Sequence, residues 1–276
     1  MSSQQDLALR EPARSLAGRV GHQIIHSTWA DRFVSVATPV ALLILWEVAA
    51  RGGFVDTRFF PAPTTIASSL LDLATSGTLW TDTGASVGRL LAGLALGAVP
   101  GIIVGLFMGL NRFAKLAMEP IIAATYPIPK SAIFPLFLLI FGLGEVSKIA
   151  IVAVGVFFPV AINTAAGVRE ISPIYRDVGS NFKAGRWNTF RHIALPGALP
   201  LVLTGLQLAS GMGLMLIVVA EMLGGNSGLG FLIWNSWQTF SVGTMYAALI
   251  VISSLGLLLS LAMVEIERLL VPWRKR

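Results

Sequence analysis

The chain has 276 residues, 55% of them hydrophobic and only 12% charged, with a formal net charge of +6. Soluble domains carry roughly a quarter charged residues, so this composition excludes a soluble core on an anchor and implies one membrane-embedded domain. Cysteine is absent, which removes disulfides, thiol nucleophiles and thiolate metal sites.

Residues 1–32 read as a polar N-terminal arm carrying Arg10, Arg14, Arg19 and Arg32. No apolar core closely follows the first methionine, so a cleaved signal peptide is not expected. His22 and His26 stand four apart, but Gln23 occupies the place of the glutamate in HExxH and further ligands are lacking. A surface-lying cytoplasmic arm is the expected form.

Six apolar segments follow, at about 33–50, 87–110, 120–142, 147–168, 196–222 and 245–266, each near the length that spans hydrocarbon. Together 33–268 form the predicted transmembrane domain, with 269–276 a basic tail. Pro127, Pro129 and Pro135 are predicted to break the third segment, and Pro200 and Gly211 the fifth. Such breaks are tolerated where neighbouring helices or a cavity satisfy the freed carbonyls. Residues 51–86 form a connection with an amphipathic turn or two. Residues 223–244 form another, with Trp234 and Trp237 suited to the headgroup layer. With the N-terminus cytoplasmic, fifteen of the twenty basic residues fall on the inner side. Both termini and the 169–195 loop are therefore expected in the cytoplasm.

In the second segment Gly93, Gly97, Gly101, Gly105 and Gly109 recur every four residues, a groove for close backbone approach. It serves either a subunit interface or sliding surface, or ordinary packing within one subunit. Ionisable groups inside apolar segments need an explanation, because each costs about 2.5–3.5 kcal/mol or more at the bilayer centre. Glu47 and Glu265 lie near segment ends, where they snorkel or pair. Lys130, beside Ser131 between the proline breaks, either attracts an anionic solute with help from Arg89 or pairs with a carboxylate such as Glu221. The candidate pathway comprises Arg89, Pro127, Lys130 and Ser131 facing Gln207, Ser210, Met212, Met215 and Glu221, the methionines adapting to a passing solute.

The longest charged passage between two apolar ones is Ser172–Pro200. Ser172-Pro173 reads as an N-cap with proline at the first helical position. Ile174, Val178 and Phe182 then form an apolar stripe, Gly185 stops the helix, and Trp187, Phe190 and Ile193 begin a second face that Leu195-Pro196 breaks. Two short helices at an angle, greasy on one side and charged on the other, are built to dock.

At this point the sequence resembles the permease subunits of bacterial ATP-binding-cassette importers. The likeness is greatest to the sulfonate, taurine, nitrate and bicarbonate class. It is carried by FPAPTTI (60–66), SVGRLLAGLALG (86–97), YPIPKSAIFPLFLLIFGLGEVSK (126–148), FRHIALPGALP (190–200) and GLGFLI (228–233). In the family's "EAA" loop, Asp177, Val178 and Gly179 stand where Glu-Ala-Ala is usual and Lys183 where glycine is usual; the turn is assigned to Gly185. The resemblance implies an all-α type I importer permease fold, about six transmembrane helices and a cytoplasmic coupling helix. Its ATPase contacts would be Ile174, Arg176, Asp177, Val178, Asn181, Phe182, Lys183, Ala184, Gly185 and Arg186. It also implies ATP and Mg on separate ATPase subunits, an extracytoplasmic binding protein and a second permease copy in the lipid bilayer.

The chain has no G-x-x-x-x-G-K-[ST] phosphate loop and no Ser/His/Asp or paired-carboxylate constellation suited to catalysis. Its basic residues are dispersed along membrane edges, unlike a nucleic-acid surface. The alternative to a permease subunit is a self-contained secondary transporter or channel. The charged docking loop is superfluous to that alternative, and no inverted repeat supports it.

Overall fold

The computed structural model describes residues 29–172, 174–175, 181–183 and 185–273, and among these it contains helices and no strand. Of the predicted arm, 1–28 lie outside the described residues, as do Arg274, Lys275 and Arg276 of the basic tail. The chain divides after Thr64 into two compact units.

The first unit is built on α1 (Trp29–Arg51). Near its end Arg51 pairs with Glu47 one turn earlier, and Glu47 also accepts the Thr64 N–H at 3.1 Å and the Thr64 hydroxyl at 2.8 Å. The carboxylate near this segment end is thus paired, as expected. Beyond the helix, Arg58 donates to Asp56 at 2.8 Å, and this hydrogen bond holds the Asp56 carboxyl below its usual range.

Helix α2 (Pro63–Thr75) starts at the division, and the second unit continues through α3 (Thr78–Leu110) and α4 (Arg112–Thr125). A 3₁₀ turn (Lys130–Ile133), α5 (Phe134–Phe141) and α6 (Glu145–Arg169) follow. After residue 185 come α7 (Arg186–Thr189), a π turn (Phe190–Ala194), α8 (Leu195–Gly224), α9 (Leu229–Gln238) and α10 (Val242–Leu270). Among the described residues five helices are long and apolar enough to cross a bilayer, and α4 with α5, bent by 83° at their break, passes the same test as a pair.

Three local readings are corrected. Helix α3 begins at Thr78 and runs 33 residues, so the connection before it is shorter than 51–86. The third segment breaks at Tyr126–Pro129 alone, because Pro135 occupies the first turn of α5, where its missing N–H is harmless. The fifth segment is not broken: α8 runs through Pro200 and Gly211. Leu195-Pro196 does not end the preceding helix either. The Leu195 N–H reaches the Phe190 carbonyl, a one-residue register slip that carries the helix past the proline.

The core is α6, held between α3 and α8. Val152, Val156, Val160 and Ala161 of α6 are wholly buried. The glycine stripe of α3 explains how the backbones come so close. A Cβ at Gly93 would strike Val152, at Gly97 the Ala153 carbonyl, at Gly101 the Phe157 carbonyl, at Gly105 Thr164 and at Gly109 Val168. The groove therefore packs within one chain. On the other face of α6, Gly167 lies against the Ala198 backbone and Gly205 of α8 against Asn163 and Pro159.

Candidate functional site

Close helix packing carries Arg89, low on the buried face of α3, to where α6 begins and α8 ends. Its side chain is 5% exposed and all five of its N–H groups are engaged. Nε and Nη2 hold the two Glu145 oxygens as a fork. Nη1 donates to Glu221 Oε1 at 2.7 Å and to the Ser227 carbonyl at 2.8 Å, and Nη2 also donates to the Ser227 hydroxyl at 2.7 Å. Glu221 is 0% exposed and accepts further from the Ser86 hydroxyl and, at 3.0 Å, from the Gly230 N–H. Lys148, also buried, donates to Glu145 at 3.2 Å.

The same cluster starts α9. The N–H groups of Gly228, Leu229 and Gly230 go to Asp82, Ser86 and Glu221, so side chains from α3 and α8 replace a local cap. Gly228 has φ +106°, and a Cβ there would strike the Glu221 carboxyl. Only glycine lets the backbone lie against that carboxylate. Chemically the cluster is a saturated ionic node that ties four elements together.

Lys130 does not reach Glu221, which overturns the expected pairing. Pro129 has no N–H to offer the Thr125 carbonyl, and the Lys130 ammonium takes its place. Nζ donates to the carbonyls of Thr125 at 2.7 Å, Ile128 at 2.9 Å and Tyr126 at 3.2 Å, and lies 4.3 Å from the centre of the Phe158 ring. An ammonium has three donors, and all three close the helix break. Pro127 and Ser131 at the break are exposed.

The remaining candidate pathway residues lie on α8. Gln207 and Ser210 line a cavity of about 450 Å³ between α8 and α10, with Thr204, Gly211 and Ser260. Ser210 donates to the Gln207 carbonyl at 2.8 Å and Thr204 to the Pro200 carbonyl at 3.0 Å. Met212 is half-buried and Met215 exposed. The nine candidates thus separate: Arg89 with Glu221, Pro127 and Ser131 with the Lys130 break, Gln207 and Ser210 at the cavity, and Met212 and Met215 outside its lining. Among the described residues no group of His, Asp or Glu is arranged to hold a metal.

Residues 101–276 match the family described as binding-protein-dependent transport system inner membrane component. The chain belongs to this family. It is 32% identical to the taurine transport system permease protein TauC of Escherichia coli, over 87% of this chain and 89% of that one. It is also 32% identical to the formylaminopyrimidine transport permease protein ThiX of Halalkalibacterium halodurans, over 85% and 93%. To the nitrate import permease protein NrtB of a Synechocystis strain it is 30% identical, over 88% and 91%. The protein is a multi-pass permease subunit of an ATP-binding-cassette importer, with the type I fold. That sets aside the self-contained carrier, and membership implies ATPase and binding-protein partners.

The stretch expected to dock follows α6. Ile174 is exposed, Phe182 is 84% exposed, and Asn181 and Gly185 are exposed too. Arg176, Asp177, Val178 and Ala184 lie outside the described residues, and Arg186 is described only as the start of α7. The turn is not at Gly185, whose φ is not positive. It is at Lys183, with φ +49°, the position to which the resemblance assigned glycine. A lysine takes the left-handed conformation here.

Sequence reasoning missed Glu145, Lys148, Asp82, Ser86 and Ser227 as members of the ionic node, and Ser260 as a cavity wall. Glu145 had one available signal, a carboxylate at the mouth of an apolar segment just after Gly-Leu-Gly.

Proposed function

We propose that two copies of this permease line one pathway in the cytoplasmic membrane, with both termini inside. ATPase subunits carrying ATP and Mg dock on the 172–186 loops, and an extracytoplasmic binding protein delivers the solute. The solute is a small oxyanion-bearing molecule of the taurine, sulfonate, nitrate or bicarbonate kind. ATP-driven closure draws the two loops together and rocks the α3–α6–α8 cores as rigid bodies, giving alternating access.

The observation that carries this reading is the exposure of Ile174 and Phe182 on a loop between two spans. Burying a large apolar side chain is worth about 1.5–3 kcal/mol, so this pair favours a protein partner. The clustering of basic residues around the same loop supports its cytoplasmic side. Phe182→Asp puts a charge into the proposed contact, which is costly. ATPase subunits should then fail to co-purify with the inserted permease. A stoichiometric, fully coupled complex with Phe182→Asp would place the dock elsewhere.

A further inference from the structure

Among the described residues three cationic side chains of the second unit are buried, and each is held by partners within the chain. Arg89 has all five N–H groups engaged and Lys130 all three. Lys148 is 1% exposed and paired with Glu145. Freeing Arg89 would strand the wholly buried Glu221 carboxylate without its counter-ion.

Two neutral polar groups without a partner lie together. Among the described residues, neither the half-buried Gln207 amide nor the exposed Ser260 hydroxyl makes a hydrogen bond within the chain, and both line the open cavity between α8 and α10. Thr204 and Ser210 beside them have given their protons to backbone carbonyls, so the donors that remain are the Gln207 NH₂ and the Ser260 OH. At 1.5 Å per residue, Gln207 is about 18 Å from the start of α8 and Ser260 about 15 Å from the end of α10, near mid-bilayer. An unpaired amide facing hydrocarbon at that depth is costly. A Cβ at Gly211 would touch nothing, which leaves the cavity room.

We propose that this cavity is the solute's site within the membrane, and that it holds the solute's oxyanion head through the neutral donors Gln207 and Ser260 with no cation in contact. The proposal rests on the reading above that copies of this permease line one pathway, and its test separates the two. The permease has no cysteine, so single Gln207→Cys and Ser260→Cys variants can be probed in the full importer in membrane vesicles. The probes are sulfonatoethyl methanethiosulfonate, an anion, and its trimethylammonium counterpart. Both variants should react with both water-borne reagents, and a failure of either variant to react with them overturns the pathway reading and the proposal together. The anionic and cationic reagents should react at rates within about threefold of each other, once each is scaled to a free thiol in solution. A preference of about tenfold or more for the anion, as a free cation would produce, overturns the neutral site while leaving the pathway intact. Methanesulfonate should protect Ser260→Cys from the cationic reagent, and Gln207→Leu should abolish that protection. Absence of protection, or protection that survives Gln207→Leu, overturns the assignment of the donors.

Discussion

Arg89 on α3 and Glu221 on α8 meet at 2.7 Å across 132 positions of sequence, with side chains 5% and 0% exposed. A buried pair of this kind is weak evidence for stability in itself, but breaking it is expensive, because the surviving charge stays buried alone. Arg89→Met should therefore destabilise the permease by about 3–5 kcal/mol. Arg89→Met combined with Glu221→Gln should recover part of that loss. Thermal unfolding in detergent measures both, and a double variant less stable than Arg89→Met would contradict the pairing.

Lys130 caps the carbonyls left by Pro129. Lys130→Met removes all three hydrogen bonds and should lower stability by about 1.5–3 kcal/mol, the net worth of hydrogen bonding to a charged group. The relative uptake of anionic and neutral solutes by the folded fraction should not change. A selective loss of anion uptake at unchanged melting temperature would return Lys130 to the pathway.

The glycines of α3 differ sharply in what surrounds them. Gly105 faces Thr164 and the Ala161 carbonyl at 2.6 Å from a built Cβ, whereas Gly88 on the same helix faces nothing within 4 Å. Gly105→Leu should force α3 from α6 and cost at least about 1–3 kcal/mol as overpacking. Gly88→Leu should be nearly silent. Expression level and melting temperature of the two variants make the comparison.

At Lys183 the backbone is left-handed, with φ +49°, which costs a non-glycine residue about 1 kcal/mol or more. Lys183→Gly should relieve that strain and leave ATPase binding intact or slightly tighter. Gly185→Ala should change little. Melting of the permease–ATPase complex reads both, and a Gly185→Ala effect larger than that of Lys183→Gly would move the turn back to Gly185.

The membrane class, the apolar stretches and the glycine groove were legible in the sequence because each is a local pattern. Composition reports the solvent a chain is built for, and helical periodicity reports which face packs. Pro127 and Pro129 announced the break between α4 and α5 by the donors they lack. Pro200 did not break α8, and Leu195-Pro196 did not end the helix before it, because packing against α6 and a π turn absorbed them. Propensity alone could not have said so. The family pattern, for its part, placed Lys183 at a position whose special backbone only coordinates reveal.

Tertiary structure alone decided which charge meets which. Arg89, Glu145 and Glu221 lie 56 and 132 residues apart, and no periodicity links them. They meet because the glycine groove lets α3 lie against α6 while α8 closes the other side. Lys130 and Glu221 looked like partners by charge, yet proline had left carbonyls closer to the lysine than any carboxylate. Sequence states which groups must find a counterpart in a medium without water. Helix packing and the reach of each side chain choose the counterpart.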